Sequence, residues 1–440
     1  MSQGSEIVVV GAGIAGVAAA LRLAELGHEV LVIDRRGIGE EASGVNGGMV
    51  GGTTRSGLDG ELAMGSLDLM IELQSERGHD LGLRVCGGLQ VVPDASSMDA
   101  IRDRVSARQT GGDPVQLLSA HEARSLEPQL AADIAGCVYG PRQGCAEPSV
   151  ATLGFAAEAA RHGVRFNTGV SVAGMAAQLG GFTLRVDTHA LRLDTHAGRL
   201  GTHGPDAADL DTGDLPAGDL DTHRSNAGGL DTQFAGPGDL ISCETLVLAG
   251  GAWLAPLGQM LGAALPVVPV LGQMWATGPL PPSVHHVITS TESALHWAGS
   301  DTPSPVPDLT HDAGRRVTRH LYGRQTRTGE VVFGGDRIAQ GWDKERHPEG
   351  IAVNRGQAAE VLPFLAGCAT DRTCSGLMPF TSDGKPLIGR VPGPEGLYTV
   401  GGLASSGFTR GPMAGRMLAE LIHDGSGSGP LKEADPARFT

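Results

Sequence analysis

The feature that most constrains this fold is a strand, a glycine-rich turn, a helix and a second strand within the first 34 residues. Residues 7–10 and 30–33 are short runs of valine, isoleucine and leucine, which are typical of buried parallel strands. Residues 17–26, rich in alanine and leucine, predict a packed helix between them. The turn follows the pattern G-x-G-x-x-G and consists of Gly11, Ala12, Gly13, Ile14, Ala15 and Gly16.

This arrangement predicts a site for a dinucleotide. The first glycine allows a tight turn, the second lets the backbone approach a pyrophosphate, and the third permits close packing of helix and strand. The positive end of the helix would face the phosphates. Asp34 ends the second strand, 18 residues after Gly16, where its carboxylate would bind ribose hydroxyls. The glycine pattern alone is weak evidence, but the strands, the helix and the acid are all in register.

The composition is that of a large enzyme with two connected domains. The chain has 440 residues, of which 40% are hydrophobic. It has no apolar run of about 18 residues that could span a membrane, and its N-terminus lacks the basic and apolar regions of a signal peptide, so we expect a cytoplasmic location. The net charge of −16 argues against nucleic acid and anionic membranes as partners. Six scattered cysteines without C-x-x-C spacing indicate neither a zinc site nor a disulfide framework.

An acidic, repetitive segment over residues 187–240 is predicted to be an insertion. It repeats Leu-Asp-Thr and Asp-Thr-His phrases and holds ten aspartates against three arginines. Such a composition cannot bury much of a core, so we expect a flexible surface loop between two strands, residues 182–186 and 241–248. The alternative is a metal site formed by His189, His196, His203 and His223, because imidazole and carboxylate groups can ligate zinc or nickel. Repeat expansion explains these histidines without a ligand, and we expect no metal.

The C-terminal third carries phrases that point to a family. Residues 375–389 read Ser-Gly-Leu-Met-Pro-Phe-Thr-Ser-Asp-Gly-Lys-Pro-Leu-Ile-Gly, and residues 406–412 read Ser-Gly-Phe-Thr-Arg-Gly-Pro. Together with the phrase Ser-Gly-Val-Asn-Gly-Gly at residues 43–48, they resemble the D-amino-acid oxidase superfamily of FAD enzymes. Within it, the chain most resembles the branch of glycine oxidase, sarcosine oxidase and D-amino-acid dehydrogenase. The resemblance spans nearly the whole chain except the insertion.

The resemblance implies an α/β fold in which a Rossmann-type FAD-binding domain is interleaved with an antiparallel-sheet (α+β) substrate domain. Short runs at residues 89–92, 267–270 and 331–335 predict strands of that second sheet. The FAD-binding domain would comprise residues 1–85, 144–186, 241–260 and 371–440, and the substrate domain residues 86–143 and 261–370.

The resemblance also implies a non-covalent FAD in an extended pose. Relatives with a covalent flavin carry the linking cysteine or histidine at positions that are Gly376 and Asn46 here. The helix after Gly407 would direct its positive end at the flavin. Besides the turn and Asp34, the residues expected along the cofactor are Arg35, Ser43, Gly47, Gly48, Val172, Gly250, Gly402, Gly407, Phe408 and Thr409.

The implied reaction is oxidation of the carbon–nitrogen bond of an amino acid or a secondary amine, with oxygen or a quinone as electron acceptor. Glycine oxidase and many relatives place an arginine before the proline of a Gly-Leu-x-Pro phrase, where it pairs with the substrate carboxylate. Met378 occupies that position here. Tyr322 falls where the family has a tyrosine for the same carboxylate. Arg324 and Arg55 are the candidate replacement cations, although each could instead be a structural or surface arginine.

Two other hypotheses stay open. A flavin monooxygenase would share the N-terminal turn, but it should carry a Gly-Asp-Ala type phrase near the C-terminus, and residues 400–407 read Val-Gly-Gly-Leu-Ala-Ser-Ser-Gly instead. A flavoprotein subunit that works only within a hetero-oligomeric amine dehydrogenase would explain the missing arginine at Met378. The acidic insertion could then be a docking surface. A homo-oligomer is the other assembly that we consider.

Overall fold

The computed structural model describes residues 3–52, 57–187, 239–291, 311–312, 315–316, 320–425 and 429–440. Two eight-stranded sheets dominate this part of the chain. In chain order the strands are β1 (Gln3–Val10), β2 (Val30–Asp34), β3 (Met49–Gly51), β4 (Gly88–Val92), β5 (Gln116–Ser119), β6 (Gly136–Gly140), β7 (Gln143–Cys145), β8 (Arg165–Thr168), β9 (Ser171–Gln178), β10 (Gly181–Asp187), β11 (Leu240–Leu248), β12 (Val267–Pro279), β13 (Val287–Ser290), β14 (His311–Asp312), β15 (Arg315–Arg316), β16 (Tyr322–Gln325), β17 (Glu330–Ile338), β18 (Arg372–Thr381), β19 (Leu387–Arg390) and β20 (Leu397–Gly401).

Helices connect the strands and cover the sheets. The α-helices of the described residues are α1 (Ile14–Glu25), α2 (Gly57–Ser75), α3 (Met98–Thr110), α4 (Ala120–Leu126), α5 (Pro148–Arg161), α6 (Leu254–Gln259), α7 (Pro348–Val361) and α8 (Gly407–Asp424). Short 3-10 helices span Ala95–Ser97, Gly251–Trp253, Pro363–Gly367, Ala404–Ser406, Gly429–Ala434 and Pro436–Phe439.

The first sheet is the nucleotide-binding sheet predicted from the sequence. Its strand order is β19-β20-β11-β1-β2-β8, with β10 and β9 attached beside β11. Strand β1 pairs in parallel with β2 and β11, β2 with β8, and β11 with β20. Val8, Val9, Val32 and Ile33 are fully buried because the parallel strands are covered on both faces. The Rossmann-type α/β prediction is therefore confirmed.

Helix α1 packs closely against α8 beside this sheet. A Cβ atom on Gly411 would lie 2.8 Å from Ile14 Cγ2. A Cβ atom on Gly415 would collide with the Ala15 carbonyl oxygen and lie 2.7 Å from the Ala19 nitrogen. The backbones of the two helices are thus nearly in contact, and the position of each helix depends on the other.

The second sheet is almost entirely antiparallel and has the order β18-β12-β17-β16-β13-β4-β6-β5. The exception is the parallel pair of β13 and β4. The runs predicted as strands at residues 89–92, 267–270 and 331–335 all lie in this sheet. The two sheets alternate along the chain, as an interleaved pair of domains requires.

One domain boundary differs from the sequence-based expectation. The sequence assigns residues 371–440 to the FAD-binding domain, but β18 pairs with β12 in the second sheet, from Ala276↔Arg372 to Val267↔Thr381. Strand β12 has 13 residues and pairs with β18 along most of its length. The chain returns to the first sheet only at β19 and β20, so Met378 belongs to the second sheet.

The strands that flank the acidic segment form a hairpin across it. Strand β10 pairs antiparallel with β11, with Arg185 opposite Leu240. The predicted insertion between them, with its four histidines, lies outside the described residues. In the described ranges, no helix is long and apolar enough to cross a bilayer, and no group of three His, Cys, Asp or Glu side chains is placed to hold a metal ion.

Replacing Gly415 by alanine is expected to destabilise the protein by about 1–3 kcal/mol, because the added methyl group pushes α8 away from α1. Urea unfolding followed by circular dichroism would measure the change. The control is Gly356→Ala in α7, where a Cβ atom would meet no atom within 4 Å. The control should leave stability unchanged or raise it by up to about 1 kcal/mol. Equal midpoints for the two variants would contradict the backbone contact between α1 and α8.

Candidate active site

A cavity of about 930 Å³ runs from the first sheet to the second. It begins at the carboxyl ends of β1 and β2, the edge where open parallel sheets bind ligands. Val172 and Trp253 line it there, and Tyr322 and Met378 line it at the second sheet. An elongated ligand could therefore reach from the glycine-rich turn to the face of the antiparallel sheet.

The turn after β1 directs the N-terminus of α1 into this cavity. Gly11 has a φ of +119°, and a Cβ atom on it would lie 2.7 Å from the Ala249 carbonyl carbon, so the turn requires glycine. Helix α1 begins at Ile14, and Gly13 before it provides no side-chain cap. Ser43 Oγ accepts a hydrogen bond from the Ile14 N–H at 3.0 Å. The first turn of α1 thus offers backbone N–H groups and the positive end of its dipole to an anion.

Asp34 lies at the end of β2 with its carboxylate held in place. Its Oδ2 accepts a hydrogen bond from the Ala12 N–H and its Oδ1 one from the Arg36 N–H, both at 2.8 Å. Burial raises the pKa of Asp34, although these two bonds oppose the shift. Beside it, the Arg35 guanidinium stacks 3.9 Å from the centre of the Trp253 ring. A carboxylate at this position has lone pairs left for ribose hydroxyls.

The turn at residues 46–48, here called the Gly47 turn, approaches the second sheet and is supported by an ion pair between the buried Arg324 and the partly exposed Glu147. Asn46 Oδ1 accepts a hydrogen bond from the Gly48 N–H at 2.8 Å. Arg324 donates through Nε to the Gly47 carbonyl at 2.7 Å and through both Nη atoms to Glu147 at 3.0 Å. Arg324 is only 3% exposed and does not line the cavity. Its guanidinium supports the turn, and the expectation that Arg324 faces the substrate is therefore revised.

Helix α8 also begins at the cavity. Ser406 precedes its first residue and provides no side-chain cap. Ala404, two residues earlier, has a φ of +48° and is the one non-glycine residue with positive φ in the described part of the chain. Such strain is typical of functional sites. Thr409 Oγ1 donates to the Met49 carbonyl at 2.9 Å and ties α8 to β3. The positive end of α8 thus lies at the cavity, close to the strand that follows the Gly47 turn.

The second sheet presents sulfur-containing and aromatic side chains to the same part of the cavity. Met274, Tyr322, Cys374 and Met378 all line it. The Tyr322 ring packs on the turn, since a Cβ atom on Gly47 would lie 2.9 Å from Tyr322 Cε2. Burial raises the pKa of Tyr322 to about 12, so its phenol stays protonated at neutral pH and can donate a hydrogen bond.

The sequence profile of the DAO family, FAD dependent oxidoreductase, matches residues 6–204 and 216–421. The chain belongs to this family. Glycine oxidase of Geobacillus kaustophilus is 25% identical over 433 residues, which cover 96% of this chain and 94% of that protein. The crystal structure of glycine oxidase from that organism has a TM-score of 0.75 at 22% identity and covers 99% of both chains. The structure of L-proline dehydrogenase from P. horikoshii has a TM-score of 0.77 at 22% identity, covering 100% of this chain and 98% of that one. These structures share its fold.

The cavity fits the FAD on which the DAO family depends. Two helices, α1 and α8, begin at it, one beside Asp34 and one beside the second sheet, and the residues that precede them, Gly13 and Ser406, provide no side-chain cap. The first would hold the pyrophosphate and the second the electron-rich edge of the flavin ring. Asp34 would bind ribose, and Trp253 with Val172 would flank the adenine end.

Most residues expected along the FAD line the cavity. These are Gly11, Gly13, Ile14, Ala15, Asp34, Arg35, Ser43, Gly47, Gly48, Val172, Gly250, Gly407, Phe408 and Thr409. Three others do not line it. Ala12 donates its N–H to Asp34, Gly16 packs on the Gly11 carbonyl, and Gly402 packs on Thr381. Arg55 lies outside the described residues.

Trp253, Glu41 and Arg337 are among the polar or aromatic residues of the cavity that sequence reasoning missed. Trp253 and Glu41 line its first half, where Glu41 forms an ion pair with Arg35 at 2.7 Å. Trp253 had a signal, because it follows the glycines at the end of β11. Arg337 lines the second half and is 2% exposed. Its phrase, Gly-Gly-Asp-Arg, gives no sign that its side chain faces a site.

Replacing Glu147 by glutamine is expected to destabilise the protein by about 3 kcal/mol, because the buried Arg324 charge loses its partner. Burial by itself raises the pKa of Glu147, but the hydrogen bonds and charge of Arg324 outweigh it and hold the pKa below its usual range. A lowered folded-state pKa adds stability above the unfolded-state pKa, and this stability is lost as the pH falls through the folded-state pKa. The difference from wild type should therefore be full at pH 7 and shrink below about pH 4.

Thermal unfolding at pH 7 and at lower pH would measure this effect. The control is Asp68→Asn, which removes the ion pair between Asp68 and Arg142. Both of these side chains are at least half exposed. That change should cost less than about 1 kcal/mol. A Glu147→Gln protein as stable as the control would show that the pair does not support the Gly47 turn.

Proposed function

We propose that the protein oxidises the carbon–nitrogen bond of an amino acid or a secondary amine with FAD as the cofactor. The observation that carries the proposal is the face of the second sheet, where Tyr322, Met274 and Met378 line the cavity beside the Gly47 turn and near the start of α8. These side chains provide two apolar surfaces and a phenol donor beside the expected position of the flavin ring. The names of the relatives, glycine oxidase and L-proline dehydrogenase, support the same substrate class.

FAD, when bound, supplies the acceptor for the hydride that leaves the carbon bearing the nitrogen. The substrate loses this hydride and a proton and becomes an imine, which water converts to a carbonyl compound and a free amine or ammonia. The protein has to bind the neutral amine form, orient its C–H bond and keep water off the ring face. Met274 and Met378 provide the dry surface, and the Tyr322 hydroxyl provides a hydrogen-bond donor. Because its pKa is raised to about 12, Tyr322 stays protonated at neutral pH and cannot accept a proton from the substrate.

Anaerobic addition of substrate pairs to the purified holoprotein would test the proposal. The pairs are sarcosine and dimethylamine, proline and pyrrolidine, and D-alanine and ethylamine, which differ only by the carboxylate. We expect at least one compound to bleach the flavin absorption within minutes. Admitting air would then separate an oxidase, which recovers its colour, from a dehydrogenase, which needs a quinone or another acceptor.

The alternatives give different results in the same experiment. A bound flavin that no compound reduces would count against the proposal and favour a partner-dependent subunit. Reduction by NADPH with no reduction by any amine would favour a monooxygenase. A protein that cannot take up FAD would contradict the site as a whole. The cytoplasmic location, the homo-oligomer and the absence of a metal stay predictions.

We further propose that FAD is held without a covalent bond. The Asn46 amide donates to the carbonyls of Ala42 and Ser43 and is engaged within its turn. Acid precipitation of the holoprotein should therefore release all of the flavin into the supernatant. Flavin retained in the pellet would contradict this prediction, and Cys374, which lines the cavity, would be the residue to replace.

A further inference from the structure

One transverse row of residues in the second sheet runs along the cavity. Directly opposite residues on neighbouring strands point to the same face of a sheet. Thr289 of β13 is opposite Gln90 of β4 on one side and opposite Tyr322 of β16 on the other. From Tyr322 the row continues through Gly334 of β17 to Met274 of β12. The side chains of the row that line the cavity are those of Gln90, Thr289, Tyr322 and Met274.

The Tyr322 ring leans along this row toward Met274 and away from Thr289. A Cβ atom on Gly334 would lie 3.0 Å from both Cζ and the hydroxyl oxygen of Tyr322, and 2.7 Å from Met274 Cγ. The ring therefore occupies the space that a side chain at Gly334 would fill. On the other side of Tyr322, Thr289 is partly exposed, although Ser290 next to it is buried. The cavity thus continues past Tyr322 and over Thr289.

Gln90 lies at the far end of this stretch and has an unsatisfied side chain. Its strand reads Gly-Leu-Gln-Val-Val and is buried along its whole length. The Gln90 Nε2 donates to the Ser290 carbonyl at the long distance of 3.4 Å, and Oε1 has no hydrogen-bond partner among the described residues. A buried acceptor without a partner is uncommon and destabilises a fold. Because Gln90 lines the cavity, a donor on a bound molecule can satisfy this acceptor.

The same row becomes apolar beyond Gln90, where helix α3 covers the sheet. Val138 of β6 is opposite Gln90 and packs in one cluster with Ile101 and Val105 of α3. Gln90 therefore marks the place where the helix-covered part of this face ends and the cavity begins. The polar side chain is at the cavity, and its apolar neighbours are under the helix.

The polar groups at this end of the cavity are hydroxyl and amide groups. Gln143 adds a second amide, because it lines the cavity and a Cβ atom on Gly88, two residues before Gln90 in β4, would collide with its Oε1. Gln90, Thr289 and Gln143 carry no charge. An ion buried beside them would need an opposite charge from elsewhere, whereas an uncharged polar group needs only hydrogen bonds. This end of the cavity is thus suited to an uncharged group that both donates and accepts.

We propose that Gln90 and Thr289 form a distal subsite for a hydroxyl or amide group at the end of a substrate side chain. The inference rests on the proposed amine oxidation and adds a polar tail to its substrate. The reacting carbon would lie beside Tyr322 and Met274. Neighbouring strands are about 4.8 Å apart, so the polar group would lie about 5–10 Å along the row from Tyr322. It would donate to Gln90 Oε1 and accept from the Thr289 hydroxyl.

Three amines that differ only at the end of the tail test the subsite. They are 6-(methylamino)hexan-1-ol, its methyl ether and N-methylheptylamine, and anaerobic flavin reduction in the holoprotein gives an efficiency for each. The alcohol should be at least tenfold more efficient than N-methylheptylamine. The ether can accept but cannot donate, so it should be no better than N-methylheptylamine, because Gln90 Oε1 needs a donor. Equal efficiencies of the alcohol and N-methylheptylamine would overturn the subsite.

The ratio of these efficiencies separates recognition of the tail from a structural role of Gln90. Gln90→Leu removes the amide at similar size, so the preference for the alcohol should fall below threefold. A structural role would lower the efficiency of all three amines alike and leave the ratio unchanged, which would overturn the proposal. The matched control, Gln357→Leu, replaces a buried glutamine of α7 that does not line the cavity and should keep the wild-type ratio.

Thr289→Val is the second variant, and it decides the question if Gln90→Leu does not retain FAD. Valine has nearly the shape of threonine and suits a strand, but it lacks the hydroxyl. The preference for the alcohol should fall at least threefold. An unchanged preference in Thr289→Val would contradict the subsite.

The subsite and the reaction can fail separately. Flavin reduction by all three amines with equal efficiency would overturn the subsite and leave amine oxidation standing. If none of them reduces the flavin, the change in flavin absorption on binding gives Kd for each. An alcohol that binds at least tenfold more tightly than N-methylheptylamine, and loses this advantage in Gln90→Leu, would then support the subsite and contradict the proposed function. Equal Kd values, or no response to any of the three amines, would overturn the subsite.

Discussion

Contact of backbone with backbone around helix α1 is the constraint on which the site depends. On one side, the Gly11 turn lies against Ala249 at the end of β11, and on the other, Ala15 lies against Gly415 of α8. Neither contact leaves room for a side chain. The N-termini of α1 and α8 are consequently fixed relative to each other and to the first sheet. Two positive helix ends are held at one cavity, which suits a ligand with a pyrophosphate and an electron-rich ring.

The nucleotide-binding half could be predicted well because its structure is encoded in consecutive residues. The turn from Gly11 to Gly16, the helix after it and the acid Asp34 lie within one unit, and local spacing fixes their geometry. The phrase that leads into α8 is equally local, and Gly407, Phe408 and Thr409 line the cavity as expected. Even the missing arginine at Met378 could be identified from a short phrase.

Contacts between distant segments could not be predicted. Arg324 is bound by Glu147, which is 177 residues away in the chain, and no pattern in the sequence links the two. The pairing of β18 with β12 likewise depends on which sheet edge is open after folding. This pairing shifts the domain boundary that the phrase alone predicts, because residues 375–389 read as one motif but belong to both sheets.

Arg337 shows why a motif position is a poor guide to the substrate. Alternation along β17 from Gly334 would turn residue 337 away from the cavity, and only the extra residue Gly335 turns it inward. The buried guanidinium that lines this part of the cavity is thus placed by a glycine and the His320 carbonyl rather than by a charged phrase. Side chains from β18 and from β17 both reach this face of the sheet, because both strands flank β12. A methionine at position 378 therefore does not by itself exclude an acidic substrate; the whole face of the sheet has to be considered.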